Sequence, residues 1–357
     1  MKGMPMRFIE TNTKISREIY FSKLYPKDSL LFFDIETTGF SAASTKLYFI
    51  GCMYYRDDCW QVGMWFNDDG NSEAELLQAF LDFTKQYKIL IHFNGDGFDI
   101  PYIRQKLTQH GLAGDLSHLE SIDLYKWVRP YKKVLNLPNL KLKTIEGFLH
   151  IKRNDTYSGG ELIAIYDKYL NTKEDALFDL LFMHNYEDIR NMLNISDIAY
   201  YKDLFEGNIT EASCLLSDDN AKLRFLAPLP QKLSLTKHQT YLTADGEHIT
   251  LTLPVMTGEL KYFFPDFKDY FYLPIEDTAI HKSVAQYMDK NYRQKATRQN
   301  CYQKISGRFL PTYQYQVEKS FGSSYTNRNS YMETNALETA GFNLTAYIQT
   351  ILQWFLQ

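Results

Sequence analysis

The chain lacks most of what marks an exported, membrane-bound or disulfide-stapled protein. Its four cysteines, Cys52, Cys59, Cys214 and Cys301, lie at spacings that fit neither a zinc motif nor a disulfide framework, so free thiols in a reducing cytoplasm are expected. No apolar run approaches the ~20 residues that cross a bilayer, and no basic segment leads into an apolar stretch at the N-terminus. A soluble, cytoplasmic protein with no membrane partner is the expectation. Internal repeats and low-complexity tracts are also missing. Positive charge is not in excess: the formal net charge is −4, which by itself does not point to a polyanionic partner.

What is present is a large stock of core-forming side chains. Hydrophobic residues make up 45% and aromatics 15% of 357 residues, which excludes disorder and exceeds what one core usually serves. The pattern divides the chain into a polar lead over 1–28, an α/β domain over 29–200 and a differently textured region over 201–357. Leu30–Ile35 reads as a buried strand. Leu47–Tyr55 and Trp60–Phe66 complete a three-strand meander through a turn at Arg56-Asp57-Asp58. Glu73–Tyr87 places Leu76, Leu77, Phe80 and Leu81 on one helical face, with Asn71-Ser72 as candidate caps. Ile89–Ile91 is a short strand, Asp99–His110 a second helix, and a strand ends near Ile122-Asp123. Further helices are expected at Lys141–Phe148, Gly160–Leu170 and Lys173–Asn194. This order predicts a mixed sheet flanked by helices.

Three clusters in this region carry chemistry. Asp34-Ile35-Glu36 puts two carboxylates on one face at a strand exit, because side chains alternate along a strand. Such a pair repels unless a cation neutralises it, which suits Mg²⁺ or Mn²⁺, although acids at strand ends also cap turns. In Asn94–Tyr102 a glycine-rich turn delivers Asp99 to a helix start, where it serves either as a ligand or as a simple N-cap. Asp96 sits in that turn and is the less attractive ligand. His184 and Asp188 stand one helical turn apart on the same face, where an imidazole beside a carboxylate can take a proton from water, or merely form a surface hydrogen bond.

Taken together and in this order, Asp34-x-Glu36 with Thr37-Thr38-Gly39, Asn94-Gly95-x-x-Phe98-Asp99-x-Pro101-Tyr102, and His184-x-x-x-Asp188 resemble the three exonuclease motifs of the DEDD superfamily. The likeness is closest to the YprB-like branch of RNase H-like (DnaQ-like) nucleases, and the second motif also resembles that of family-B DNA polymerase proofreading domains. It covers about Leu30 to Asn194. The resemblance implies a 3′–5′ exonuclease that hydrolyses DNA or RNA with two divalent ions, Mg²⁺ or Mn²⁺, acting on single-stranded 3′ ends. It implies that Asp34, Glu36 and Asp188 ligate one ion, that Asp34 bridges to the second, and that Asp99 acts through water. A histidine four residues before the last aspartate places the chain with the DEDDh group, so His184 is the implied base, and Thr37, Asn94 and Phe98 are the implied contacts to the terminal nucleotide. Tyr186 is off-register for a catalytic tyrosine and reads as packing; Asp123 and His92 read as structural, and Gly159-Gly160 as a turn or a mobile loop. Two rivals are a structure-selective endonuclease using the same site and a non-catalytic nucleic-acid-binding module, the latter expected to have lost carboxylates that are all present here.

The 201–357 region is expected to be α+β, with a hairpin at Thr240–Leu253 around Asp245-Gly246, a helix from Thr278 to about Gln299 and a packed helix over Leu344–Phe355. Between His281 and Leu310 seven Lys/Arg stand against one acid, Asp289, leaving the rest of the chain distinctly acidic. Lys282, Arg293, Lys295 and Arg298, with Tyr287, Tyr292 and Tyr302 among the cations, suit a single-strand track, although a solvated helix face or a protein-docking surface has the same composition.

Overall fold

The computed structural model describes residues 6–357 apart from Ser16 and Arg328. The chain divides into two compact units at Lys202/Asp203. In the first unit the elements run β1 (Arg7–Asn12), β2 (Leu30–Thr37), β3 (Leu47–Arg56), β4 (Cys59–Phe66), α1 (Glu73–Thr84), β5 (Ile89–His92), α2 (Asp99–Gln109), β6 (Glu120–Asp123), α3 (Leu124–Val128), α4 (Leu142–Phe148), α5 (Gly159–Thr172), α6 (Asp175–Ile195) and α7 (Ala199–Glu206), the last crossing the boundary. The six strands form one sheet in the order β1-β4-β3-β2-β5-β6. Strands β1 to β4 pair antiparallel, and β2, β5 and β6 pair parallel. This is the mixed sheet flanked by helices.

Strand β2 lies at the centre because its first four residues, Leu30, Leu31, Phe32 and Phe33, are apolar on both faces and fully buried. Helix α1 packs through Leu76, Leu77, Phe80 and Leu81, each fully burying side chain contributing about 1.5–3 kcal/mol. The β3–β4 connection is a two-residue turn with Asp57 and Asp58 both left-handed (φ 50° and 58°), the conformation that matches strand twist.

Three expectations for the first unit need correction. The first 28 residues do not stand apart as a lead: Arg7–Asn12 pairs with β4 from Phe66 to Gln61 and extends the meander to four strands, while residues 1–5 of that segment lie outside the described residues. Gly159-Gly160 is neither a turn nor a loop but the first turn of α5, capped by Ser158 in a reciprocal pair with Glu161. Ser72 heads α1, yet its hydroxyl bonds to Asn67 and Asp69 and does not cap the helix.

The second unit is mostly β. A five-stranded antiparallel sheet, β7 (Thr210–Leu216), β8 (Asn220–Leu226), β9 (Leu233–Lys237), β10 (Thr240–Asp245) and β11 (His248–Pro254), has the order β7-β8-β11-β10-β9 and contains the expected hairpin. Then come β12 (Met256–Phe263), β13 (Tyr270–Leu273), β14 (Thr278–His281), the single-turn α8 (Lys282–Ala285), β15 (Gln294–Lys295), β16 (Tyr302–Pro311), β17 (Phe321–Gly322), β18 (Tyr331–Glu333) and α9 (Leu344–Leu356). Strands β12, β16, β18 and β17 close a small barrel around Leu260, Phe309 and Phe321. Helix α9 buries Tyr347, Ile348, Ile351, Leu352 and Phe355. The helix expected over Thr278–Gln299 does not form: Tyr270–Leu273 pairs with Thr278–His281 on one side and with Gln294–Lys295 on the other, which removes that segment's backbone groups from helical bonding. No helix among the described residues is long and apolar enough to cross a membrane.

Candidate active site

The central strand delivers the first two acids. Asp34 and Glu36 project from the same face of β2, and a bulge between Glu36 and Thr37 ends the regular pairing with β3. Parallel neighbour β5 leads into the Asn94–Gly97 turn, which places Asp99 at the start of α2 with only 6% of its surface exposed. The Asp99 carboxylate accepts the Ile35 N–H at 3.3 Å, so it lies against β2 between the other two acids. Helix α6 crosses the sheet and supplies His184, Asn185 and Asp188. His184 Nε2 lies 3.4 Å from Glu36 Oε1 and 3.4 Å from Asp188 Oδ2. All four sequence-predicted acids and the histidine therefore meet in one place.

The helix comes this close because β3 carries Gly51 opposite Asp34. A Cβ at Gly51 would stand 2.2 Å from Asn185 Oδ1 and 2.8 Å from Ile189 Cγ1. Through that gap Asn185 Nδ2 donates to Asp34 Oδ2 at 3.1 Å.

A second layer comes from the coil between α4 and α5, which the sequence reading passed over. Asp155 Oδ2 lies 2.7 Å from His184 Nδ1 and accepts its proton, which fixes the tautomer and leaves Nε2 facing Glu36 and Asp188. Arg153 bonds to Asp188, to Glu146 at 3.2 Å and to Asp155 at 3.0 Å. Glu187, almost fully buried, accepts the backbone N–H groups of Asn154 and Asp155 and so ties this coil to α6 beside Asp188. Asn191, one turn on, holds Glu146 at 2.9 Å. The signal available in the sequence was the run of polar residues, Asn185, Glu187 and Asn191, on a long helix that had to be buried.

Electrostatics distinguishes the two layers. Burial, reinforced by the neighbouring carboxylates of Asp99, Asp188 and Glu36, pushes Asp34 well above the usual carboxylate range. Glu36 is pushed the same way by burial and then by Asp188 and Asp99. Asp99 is pushed up to about 7 by burial, against the pull of the Ile35 N–H. For Asp155 burial raises the value, but His184 and Arg153 outweigh it and hold the carboxylate below its ordinary range. Against four clustered carboxylates there is one guanidinium, and Asp34 and Glu36 each have a single neutral donor, Asn185 and, at 3.5 Å, Tyr48. An all-oxygen set with uncompensated negative charge fits hard divalent cations. Glu36, His184 and Asp188 also lie close enough together to share one ion.

The remaining expected residues are placed as follows. The Thr37 hydroxyl donates to Gly39 O at 2.9 Å within its own loop. Asn94 is left-handed (φ 64°) with its N–H held by Asp123 at 2.8 Å, and so forms the turn that leads to Asp99. Phe98 packs on Tyr102 and, 6.0 Å between centroids, on Phe40, which is 93% exposed and was missed by the sequence reading. Asp123 caps α3 through the Tyr125 N–H, and Tyr186 stacks on Phe182. His92 accepts the Gly95 N–H and bonds to Ser121, while Asp96 is paired with Lys126 at 2.6 Å. His92 and Asp96 are thus partnered locally and serve the turn that carries Asp99, while Asp123 Oδ2 is buried without a hydrogen-bond partner among the described residues, and the three side chains lie close enough together to share one ion. Lys282, Arg293, Lys295 and Arg298 all belong to the second unit. Lys282 pairs with Asp269 at 2.6 Å, and Arg293 donates to Ala285 O beneath the Phe271 ring. Lys295 and Arg298 are exposed and, among the described residues, have no acidic partner within ion-pair distance.

Residues 31–200, which contain all four acids, match the family model of the RNase H superfamily. The first unit is an RNase H-like domain. The chain is 27% identical over 183 residues to the uncharacterized protein YprB of Bacillus subtilis, covering 49% of this chain and 42% of that protein. Over 121 residues it is 31% identical to DNA polymerase 1 of Saccharolobus solfataricus, covering 25% of this chain and 14% of the polymerase. The chain thus spans less than half the length of these relatives. Among solved structures, it is similar to the family B DNA polymerase of Pyrobaculum calidifontis (TM-score 0.38, 13% identity, 69% of this chain and 36% of that one). Another is E. coli Exonuclease I in complex with a dT13 oligonucleotide (TM-score 0.30, 16% identity, 54% of each chain).

Proposed function

We propose that the first unit is a DEDDh-type 3′–5′ exonuclease that hydrolyses single-stranded DNA or RNA ends to nucleoside 5′-monophosphates. The observation that carries this reading is the gathering of Asp34, Glu36, Asp99 and Asp188 in one cluster, with His184 beside Glu36 and Asp188 and Asp155 holding the far side of the imidazole. Asp34, Glu36 and Asp188 would hold two divalent ions, Mg²⁺ or Mn²⁺, with Asp99 completing the set. Bound there, the ions screen the anionic phosphodiester and stabilise the charge developing on the leaving oxygen. His184 Nε2 accepts the proton of the attacking water as its oxygen bonds to phosphorus. The bond from phosphorus to the 3′-oxygen breaks, and that oxygen takes a proton from solvent. Asp155, an acceptor for Nδ1–H, stabilises the imidazolium that results. Exposed Phe40, edge-on to Phe98, provides an aromatic surface beside the loop that follows Glu36.

The test is incubation of the purified chain with Mg²⁺ or Mn²⁺ and 5′- or 3′-labelled single- and double-stranded DNA and RNA. Stepwise shortening of 5′-labelled strands is expected, and Asp34→Ala is expected to abolish it while leaving the melting temperature unchanged or raised, because carboxylate repulsion falls. Wild-type cleavage by Asp34→Ala would sink the assignment, and internal cuts as first products would favour an endonuclease.

A further inference from the structure

Four strained residues of the second unit gather around one cavity. The β9–β10 connection is a two-residue turn, since Lys237 pairs with Thr240, and both turn residues, His238 and Gln239, are left-handed (φ 44° and 62°). Such a turn favours Asn-Gly, because a Cβ is costly in that region of φ. Just beyond β16, Tyr313 and Gln314 are again a left-handed pair (φ 52° and 77°). Among the described residues of this unit six non-glycine residues have positive φ, and these four all border the same cavity of about 600 Å³. Backbone strain concentrated at a cavity points to function, because a turn under no other demand would carry glycine or asparagine.

The walls of the cavity indicate what it holds. Tyr313 stands edge-on to Trp354, 4.8 Å between centroids, and His238 lies 6.0 Å from the same indole. Both walls are fixed: the Tyr313 hydroxyl bonds to Thr240 Oγ1, and Lys237 donates to Trp354 O at 2.6 Å with its ammonium 4.5 Å over the ring. The lining includes no carboxylate, lysine or arginine. At the mouth stand three exposed carboxamides, Gln239, Gln314 and Asn329, none with a side-chain hydrogen bond among the described residues. A carboxamide presents a donor and an acceptor side by side, the complement of a heterocycle edge, and aromatic faces take any base by stacking. The volume is that of a small-molecule site, and a lining of aromatic, apolar and carboxamide side chains suits a flat heterocycle.

We propose that this cavity binds a nucleobase, stacked on one ring of the edge-to-face Tyr313–Trp354 pair and read on its edge by the carboxamides of Gln239, Gln314 and Asn329. The base comes either from a free nucleotide or from a single-stranded polymer. The proposal does not depend on the chemistry assigned to the first unit.

The experiment is a fluorescence titration of the full chain in EDTA, which keeps oligonucleotides intact, with AMP, CMP, GMP and UMP in one arm and single-stranded oligonucleotides in the other. A saturable change that disappears in Trp354→Phe locates binding at this cavity. A response to monophosphates identifies a free nucleotide, and a response to oligonucleotides alone identifies a polymer. Gln314→Ala is expected to weaken binding about tenfold, comparable with the loss of one base contact. Replacing the turn by His238→Asn with Gln239→Gly relieves the strain, so the melting temperature should rise while affinity falls. Gln314 is exposed, so its variant keeps the test valid if Trp354→Phe fails to fold. No Trp354-dependent change in either arm, or wild-type affinity in both Gln314→Ala and the turn variant, overturns the proposal.

Discussion

Asn185 reaches Asp34 through the space left by a missing side chain: its Nδ2 donates to Asp34 Oδ2 at 3.1 Å above Gly51, the residue paired with Asp34 across β2 and β3. The contact sets how close α6 lies to the sheet, and so sets the position of His184 and Asp188. Gly51→Ala pushes a methyl group into the buried Asn185 amide and Ile189. The expected cost is about 1–3 kcal/mol, as for overpacking a dense core. Because the strain falls on the element that carries two site residues, metal-dependent cleavage should fall further than stability explains. Urea unfolding and turnover on the same preparation measure both; a stable protein with wild-type turnover would mean that α6 has slack here.

His184 and Asp155 act as one unit in the proposed chemistry, with Asp155 2.7 Å from Nδ1. His184→Ala should lower turnover by ~10²–10⁴-fold, the range for losing a positioned proton acceptor. Asp155→Ala should lower it by roughly 10–100-fold with little change in KM, since supporting groups orient and do not bind substrate. In the His184→Ala background, the Asp155 substitution should cost almost nothing more. Additive losses in the double variant would separate the two residues and leave Asp155 as a fold-stabilising partner of Arg153.

How much of this could be read in advance depended on where the physics is local. The meander, α1, α2 and α6 follow from periodicities that their own residues carry; Asp34, Glu36 and Asp99 stand at element ends that those periodicities define, and Asp188 on the α6 face that also carries His184. Arg7–Asn12 was missed because it alternates half-buried and exposed residues at a sheet edge, with no apolar face to mark it. The helix expected from Thr278 failed for the opposite reason: its spacing suits a helix, but Thr278–His281 folds back on the strand just before it, Tyr270–Leu273, which on its other side takes up Gln294–Lys295 from the far end of the same segment. Arg153 and Asp155 lie in coil, where no period exists, and what fixes them is Glu187 on a helix more than thirty residues away. Their importance is a tertiary fact.

The acid cluster makes the metal-free protein sensitive to pH. Asp99 titrates at about 7 in the fold, against ~3.9 in an unfolded chain. The folded state therefore binds this proton more tightly, so the stability it contributes is fully present below the unfolded value and lost as pH rises through about 7. Asp34 and Glu36 shift in the same direction. Asp155, held low, works the other way and withdraws its contribution only in acid. In EDTA the melting temperature should fall between about pH 5 and about pH 8. Mg²⁺ should restore it, and by more at the alkaline end, where the carboxylates it neutralises are ionised. A melting temperature that rises over this range in EDTA would contradict the raised values.

The last expectation concerns the basic segment of the second unit, whose cations are not equivalent once placed. Lys282, Lys304 and Arg308 are each paired with an acid, Asp269, Asp277 and Asp218, and Arg293 is committed to Ala285 O and the Phe271 ring. Lys290, Lys295 and Arg298 remain exposed and without acidic partners among the described residues, with Tyr287 85% and Tyr292 54% exposed among them. If this face contacts a single strand, those three cations displace condensed counterions, and each contributes roughly 0.7 to the slope of log affinity against log salt. Replacing Lys290, Lys295 and Arg298 with Ala should weaken oligonucleotide binding and reduce that slope by about 2. Lys282→Ala, which only frees Asp269, should change it less. Saturated turnover should stay near wild type, because losing uniform binding raises KM and leaves kcat. A salt titration with a labelled oligonucleotide in Ca²⁺ or EDTA reads the slope directly. An unchanged slope in the triple variant makes this face a solvated surface and leaves the cavity beside Trp354 as the nucleic-acid-facing feature of the second unit.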